Sequence, residues 1–181
     1  MGQASVSAGS DGSFTFSGLT PGKYTLRATL PPGGSPSGWI TKAVSAGGHD
    51  ATDVPVQVSA GENLSDALIV FGDRPSEISG TLTDADGRAA GDYFVVLLPA
   101  DPARWRSTNR RVTPARVSTD GQFTFRNLLA GDYLLAVVKD LEPATINDPE
   151  ILTELARNAV KVAIAEGEKK AQPLKIGKAP E

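Results

Sequence analysis

The chain has 181 residues, a formal net charge of −3 and no cysteine. Its length allows one or two domains, and without cysteine there is no disulfide framework, thiolate nucleophile or cysteine-based metal site. Gly 19 and Pro 13, with few helix-friendly runs, point to an all-β protein rich in turns. The mild acidity supplies no field toward nucleic acid or anionic lipid.

Met1 to Ser5 carries neither a basic n-region nor an apolar h-region and does not read as a signal peptide. No run of about 18 apolar residues is present to span a bilayer. Ser5–Ala8 is a short candidate strand before the Asp11-Gly12 turn. Phe14 and Phe16 then share one strand face, as do Tyr24, Leu26 and Ala28 after a reversal at Gly22. The Pro- and Gly-rich stretch 30–38 is a loop. Strands are expected at Trp39–Val44, around Val54, Val56 and Val58, and over Leu64–Phe71, with Gly72–Pro75 as linker.

Glu77–Thr83 opens a second set of strands, turns at Asp84–Gly87 and continues as Tyr93–Leu98. That run is apolar on both faces and suits a central strand. Val112–Ser118 leads into a hairpin at 120–135, and Leu134–Val138 continues out of it. The one convincing helix begins at Asp148 as N-cap. Pro149 follows at the first helical position and Glu150 sits at the positive end of the dipole, while Ile151, Leu152 and Leu155 form an apolar stripe. Val160–Ile164, a turn at Glu166–Glu168 and Leu174–Ile176 close the chain's regular part.

Two stretches repeat. Asp11–Leu26 recurs as Asp120–Leu135 at a constant offset of 109, and Asp, Gly, Phe, Thr, Phe, Leu, Gly, Tyr and Leu keep their places. Val54, Val56, Val58, Gly61, Glu62, Leu68 and Val70 match Val160, Val162, Ile164, Gly167, Glu168, Leu174 and Ile176 at an offset of 106. Two diverged copies of one module account for both series. The modules are expected at 1–72 and 76–177. The first lacks counterparts of Glu77–Thr83 and Tyr93–Leu98, since only ten residues precede Asp11. It is therefore expected to be N-terminally incomplete, with Met1 beginning a fragment.

Gly-Thr-Leu-Thr-Asp-Ala-Asp-Gly at 80–87, followed by Asp-Gly-x-Phe-x-Phe-x-x-Leu-x-x-Gly-x-Tyr-x-Leu from Asp120, resembles the carboxypeptidase regulatory-like domain. The resemblance covers Ile78–Ile176 and the first copy from its third strand onward. It implies two tandem Ig-like, transthyretin-like β-sandwiches, the second with one short inserted helix. It also implies a non-catalytic structural or interaction module of a larger secreted or envelope-associated bacterial protein, extracellular or in the periplasm or at the outer membrane. The partners would be other domains of that protein. Starch-binding modules share the fold, so the resemblance also admits a carbohydrate-binding module.

Residue chemistry argues the same way. Tyr24 and Tyr133 follow Leu-x-x-Gly-x, the setting of a tyrosine corner whose hydroxyl ties back to upstream backbone. Asp84 and Asp86 begin an oxygen-rich loop without the distal Glu of a Ca²⁺ site, and His49, Asp50 and Asp53 form too small a set for Zn²⁺. Both stretches read better as turns bonded to their own backbone. The sole His has no nucleophile elbow to serve. No enzyme activity, cofactor or tight metal site is therefore expected. The remaining ligand-binding candidates are Trp39 and Trp105, as stacking platforms, and Arg104, Arg106, Arg110 and Arg111 as an anion or acidic-glycan contact. Against these stand packing for the tryptophans and ordinary ion pairing for the arginines.

Overall fold

The computed structural model describes residues 4–30, 39–105, 112–141, 146 and 148–176. The protein is all-β with one α-helix. In chain order its strands are β1 (Gly22–Tyr24), β2 (Ile40–Ala46), β3 (His49–Asp50), β4 (Val56–Val58), β5 (Leu68–Gly72), β6 (Ser76–Thr83), β7 (Phe94–Pro99), β8 (Thr113–Arg116), β9 (Gln122–Leu128) and β10 (Gly131–Val138). Helix α1 (Pro149–Arg157) follows, then β11 (Val160–Ile164), β12 (Lys169–Ala171) and β13 (Leu174–Lys175). The chain divides into two compact units, Met1–Ala28 with Ala43–Ile69, and Thr29–Lys42 with Val70–Glu181.

The second unit is a β-sandwich. One sheet has the order β11-β10-β7-β8, and the other sets β6 between β12 or β13 and β9. Alternation along each strand sends every second side chain into the space between the sheets. Ile78 and Leu82 of β6, Val95 and Leu97 of β7, Phe123 and Phe125 of β9, Tyr133 and Leu135 of β10, and Val162 and Ile164 of β11 meet there. β7 lies between β10 and β8, the central place its composition predicts. Its other face carries Val96 and Leu98, which pack with Ala136 of β10 and Leu152 of α1. A strand apolar on both faces is thus explained by a core beneath it and a helix above it.

Helix α1 starts where the capping residues place it. The Asp148 carboxylate accepts from the Glu150 N–H at 2.9 Å, with Pro149 in the first turn. The end of the chain differs from expectation. The turn at Glu166 and Gly167 stands where expected, but residues 169–175 then form two short strands, both parallel to β6, where one strand at Leu174–Ile176 was expected. Pro173 has no N–H to give a ladder, and the Gln172 N–H bonds the Ser79 carbonyl at 2.8 Å between the two strands. Gly80 sits opposite that crossing, where a Cβ would run into the Gln172 carbonyl and the Phe123 ring.

The first unit is more sparsely built. Within it, β1 pairs with β4 alone, and Ser45 and Ala46 of β2 pair with Asp50 and His49 of β3. Val44, Ala46 and Ala51 are its buried apolar residues among those described. The Val44 N–H donates to the Thr52 hydroxyl, and the Asp66 carboxylate accepts from the N–H groups of Gly47 and Gly48 at 2.8 and 2.7 Å. Two expected strands are absent and three are shortened. Ser5–Ala8 and the Phe14–Phe16 stretch carry no strand, Leu26 and Ala28 fall outside β1, and Val54 and Leu64 fall outside β4 and β5. Apolar alternation is present in Phe14–Phe16, but a strand also needs a hydrogen-bonded neighbour, and none is present there among the described residues.

Candidate functional site

The aromatic and basic segment predicted from sequence sits where β7 leaves the sandwich. Asp101 caps a 3-10 turn over Pro102–Arg104, its carboxylate accepting from the Ala103 N–H at 3.0 Å. That turn swings Trp105 back onto the helix-covered face of the sheet. Its Nε1–H donates to the Pro99 carbonyl at 2.7 Å, and its ring joins the cluster of Val96, Leu98 and Leu152. The indole is half-buried with its one donor satisfied, as a packing role requires.

Arg104 points the other way. Its Nε lies 3.5 Å from the Asp101 carboxylate. It borders two shallow depressions of the second unit. One, of about 200 Å³, is lined by Ile40, Lys42, Arg74, Leu128 and Glu166 among others. The second, of about 420 Å³, is lined by Asp101, Asp132, Tyr133 and Lys161 among others. In the first, the Lys42 ammonium donates to both Glu166 oxygens at 2.8 and 2.9 Å. That bond, the Lys42 charge and then the Arg74 charge hold the Glu166 carboxyl below its ordinary pKa. In the second, Lys161 lies 3.5 Å from Asp132. Cation and carboxylate thus answer each other in both depressions, and the chemistry offered is modest.

Trp39 lies just before β2 and is 41% exposed. The structure does not bring it into either depression. Arg106, Arg110 and Arg111 lie outside the described residues, so the expected cluster is represented by Arg104 and Trp105. Sequence reasoning missed Lys42, Arg74 and Glu166 as neighbours. They are 124 positions apart at the extremes, Lys42 to Glu166, and nothing local signals the pairing.

The groups that looked most like metal ligands are engaged by their own turns. Asp84 Oδ1 accepts from the N–H groups of Asp86 and Arg88, both at 2.9 Å, and Asp50 accepts from the Thr52 N–H at 2.9 Å. Among the described residues no group of three or more His, Asp or Glu side chains converges. The two tyrosines form the predicted corners. Tyr24 donates to the Thr20 carbonyl at 2.7 Å and Tyr133 to the Leu129 carbonyl at 2.8 Å, each four residues back.

No protein-family model matches the sequence. A search of curated proteins likewise returns no match. Among solved structures, BcpA, the major pilin subunit of Bacillus cereus, overlaps 70% of this chain and 35% of its own, at 14% identity and a TM-score of 0.42. The Bacillus anthracis TIE protein overlaps 67% of this chain and 20% of its own, at 16% identity and 0.39. A DUF3823 family protein from Parabacteroides merdae overlaps 56% and 45%, at 17% identity and 0.36. The chain therefore spans less than half the length of each of these three proteins.

Proposed function

We propose that the chain is a non-catalytic structural and interaction element, built from two copies of a carboxypeptidase regulatory-like module within a larger secreted or envelope-associated protein. The observation that carries this reading is what the repeated polar groups do. The Tyr24 and Tyr133 hydroxyls tie down the same turn in each copy. The Glu62 and Glu168 carboxylates each accept from the N–H three residues back, at Ser59 and Ala165. What the two copies share is therefore spent on their own backbone and not aimed at a ligand.

The burial of Trp105 supports the same reading, because its face and its donor are both in use. The exposure of Trp39 is the one specific observation that favours the carbohydrate-binding alternative. A glycan array with the intact chain separates the two. The structural reading expects no glycan retained above background, with the wild type and Trp39→Ala alike. Retention of a glycan that Trp39→Ala abolishes, in a variant with unchanged melting, would establish the carbohydrate-binding reading instead.

A further inference from the structure

The depression of about 200 Å³ lies wholly in the second unit and sets three cations, Lys42, Arg74 and Arg104, around one carboxylate, Glu166. Two of the cations are answered. Lys42 donates to both Glu166 oxygens, and Arg104 has Asp101 at 3.5 Å. Arg74 acts on Glu166 through its charge, but among the described residues no carboxylate lies within ion-pair distance of it. The depression therefore keeps one positive charge in excess.

Its parts are held in place. The Lys42 stem lies against Gly72, where a Cβ would come within 3.4 Å of the lysine Cδ. Gly72 has no left-handed φ to account for it, and a glycine in a strand often marks such a close approach. The Arg74 stem lies against Gly167, where a Cβ would come within 3.5 Å of the arginine Cβ. The turn that carries Glu166 is fixed by the buried Ser76. Its hydroxyl donates to the Ala165 carbonyl at 2.7 Å and accepts from the Gly167 N–H at 3.0 Å. The Leu129 carbonyl is fixed by the Tyr133 hydroxyl. Groups held this way lose little freedom when a ligand arrives.

We infer that this depression binds a carboxylate borne on a short aliphatic group. That chemistry is shared by a polypeptide C-terminus ending in an aliphatic residue and by a free branched-chain acid. A guanidinium left over from ion pairing suits a carboxylate, which its planar fork takes through two parallel hydrogen bonds. The uncharged lining is Ile40, Gly72, Leu128, Leu129 and Ala130. No aromatic, amide or hydroxyl side chain joins it, so a neutral sugar would find neither a stacking platform nor neutral partners for its hydroxyls. None of Lys42, Arg74, Arg104 and Glu166 is among the residues that the two copies share. The inference therefore goes beyond the structural reading and does not rest on the repeat.

The test follows the amide NMR signals of the full chain with four probes. They are N-acetyl-leucine, its neutral amide, isovalerate, and the peptide Gly-Gly-Ala-Leu with a free C-terminus. At about 20 mM, where even a millimolar site is largely filled, N-acetyl-leucine should shift Gly72, Arg74, Leu129 and Gly167 saturably. The neutral amide should bind about tenfold more weakly, the scale of a hydrogen bond to a charged group. Arg74→Gln, with unchanged melting, should lose affinity for N-acetyl-leucine by a similar factor. Glu166→Gln should bind it about threefold more tightly, because an exposed ion pair no longer occupies Lys42. Tighter binding of the peptide than of isovalerate would identify a polypeptide terminus as the ligand, and the reverse a free acid. No saturable shift at these positions, an equal response to acid and amide, or unaltered affinity in Arg74→Gln overturns the inference. None of these results depends on glycan retention, so the two proposals fail separately.

Discussion

The two repeated hairpins use the same local devices and reach different ends. Gly12 and Gly121 turn at φ +81° and +80°, and Gly18 and Asn127 at +69° and +59°. The Gly12 N–H bonds the Gly9 carbonyl as the Gly121 N–H bonds Ser118, both at 2.9 Å. Even so, Phe123 and Phe125 are 3% exposed, while Phe14 and Phe16 are only half-buried. Leu174, beside β6, is 5% exposed, and its counterpart Leu68 is 58% exposed. Turns are thus set by neighbouring residues of the chain, whereas burial is conferred by strands that come from elsewhere. Here those strands are β6 and β7, and the described first unit has no counterpart of either.

Paired substitutions at matching positions sharpen this comparison. The widest gap is expected at the phenylalanines. Phe123→Ala should cost about 3–5 kcal/mol in the second unit, the usual range for emptying a core aromatic site. Phe14→Ala should cost less than about 1 kcal/mol, because most of that ring's surface change does not reach a packed core. Urea unfolding followed by residue-resolved NMR reads the two units separately. Equal losses at both sites would mean the first unit has a core as tight as the second.

The turn glycines come next. Both have the same left-handed φ, which costs an alanine about 1–2 kcal/mol. At Gly12 a Cβ meets nothing within 4 Å, but at Gly121 it lies 2.6 Å from the Leu82 carbonyl. Gly121→Ala should therefore exceed Gly12→Ala by a further ~1–3 kcal/mol of overpacking. If the two melt alike, β6 does not lie as close to the turn as described.

The tyrosine corners offer a smaller contrast. Tyr133→Phe removes a part-buried hydrogen bond and should cost about 1 kcal/mol. Tyr24→Phe removes an exposed one that water can replace, and should cost about half of that or less. Calorimetry of the two variants decides it, and a larger loss at Tyr24 would reverse the order of the units.

The smallest effect is a dependence on acidity. The Asp66 carboxyl is held below its ordinary pKa, first by the Gly47 N–H and then by the Gly48 N–H. A lowered pKa means the folded state favours the charged form. The stabilisation is therefore fully present above the ordinary carboxylate range and is lost as pH falls through the lowered value. The amide signals of Gly47 and Gly48 should titrate with a midpoint below that of an unperturbed aspartate. Asp66→Asn should abolish that step. A midpoint at or above the ordinary value would show that the two bonds do not form in solution.

Much of the architecture was legible in the residues. The tyrosine corners and the cap at Asp148 rest on contacts within a few positions of the chain. Sequence carries such signals intact. Phe14-Thr15-Phe16 and Phe123-Thr124-Phe125 show the limit, because identical residues form a strand in one place and not in the other. Nor could the sequence show that Trp105 turns inward to Pro99, that Lys42 meets Glu166, or that 169–175 splits into two parallel strands. By itself the sequence determined the repeat, the turns and the alternation, since each is a matter of local backbone geometry. The tertiary structure alone decided which of those faces is buried, because burial and strand pairing depend on partners distant in the chain.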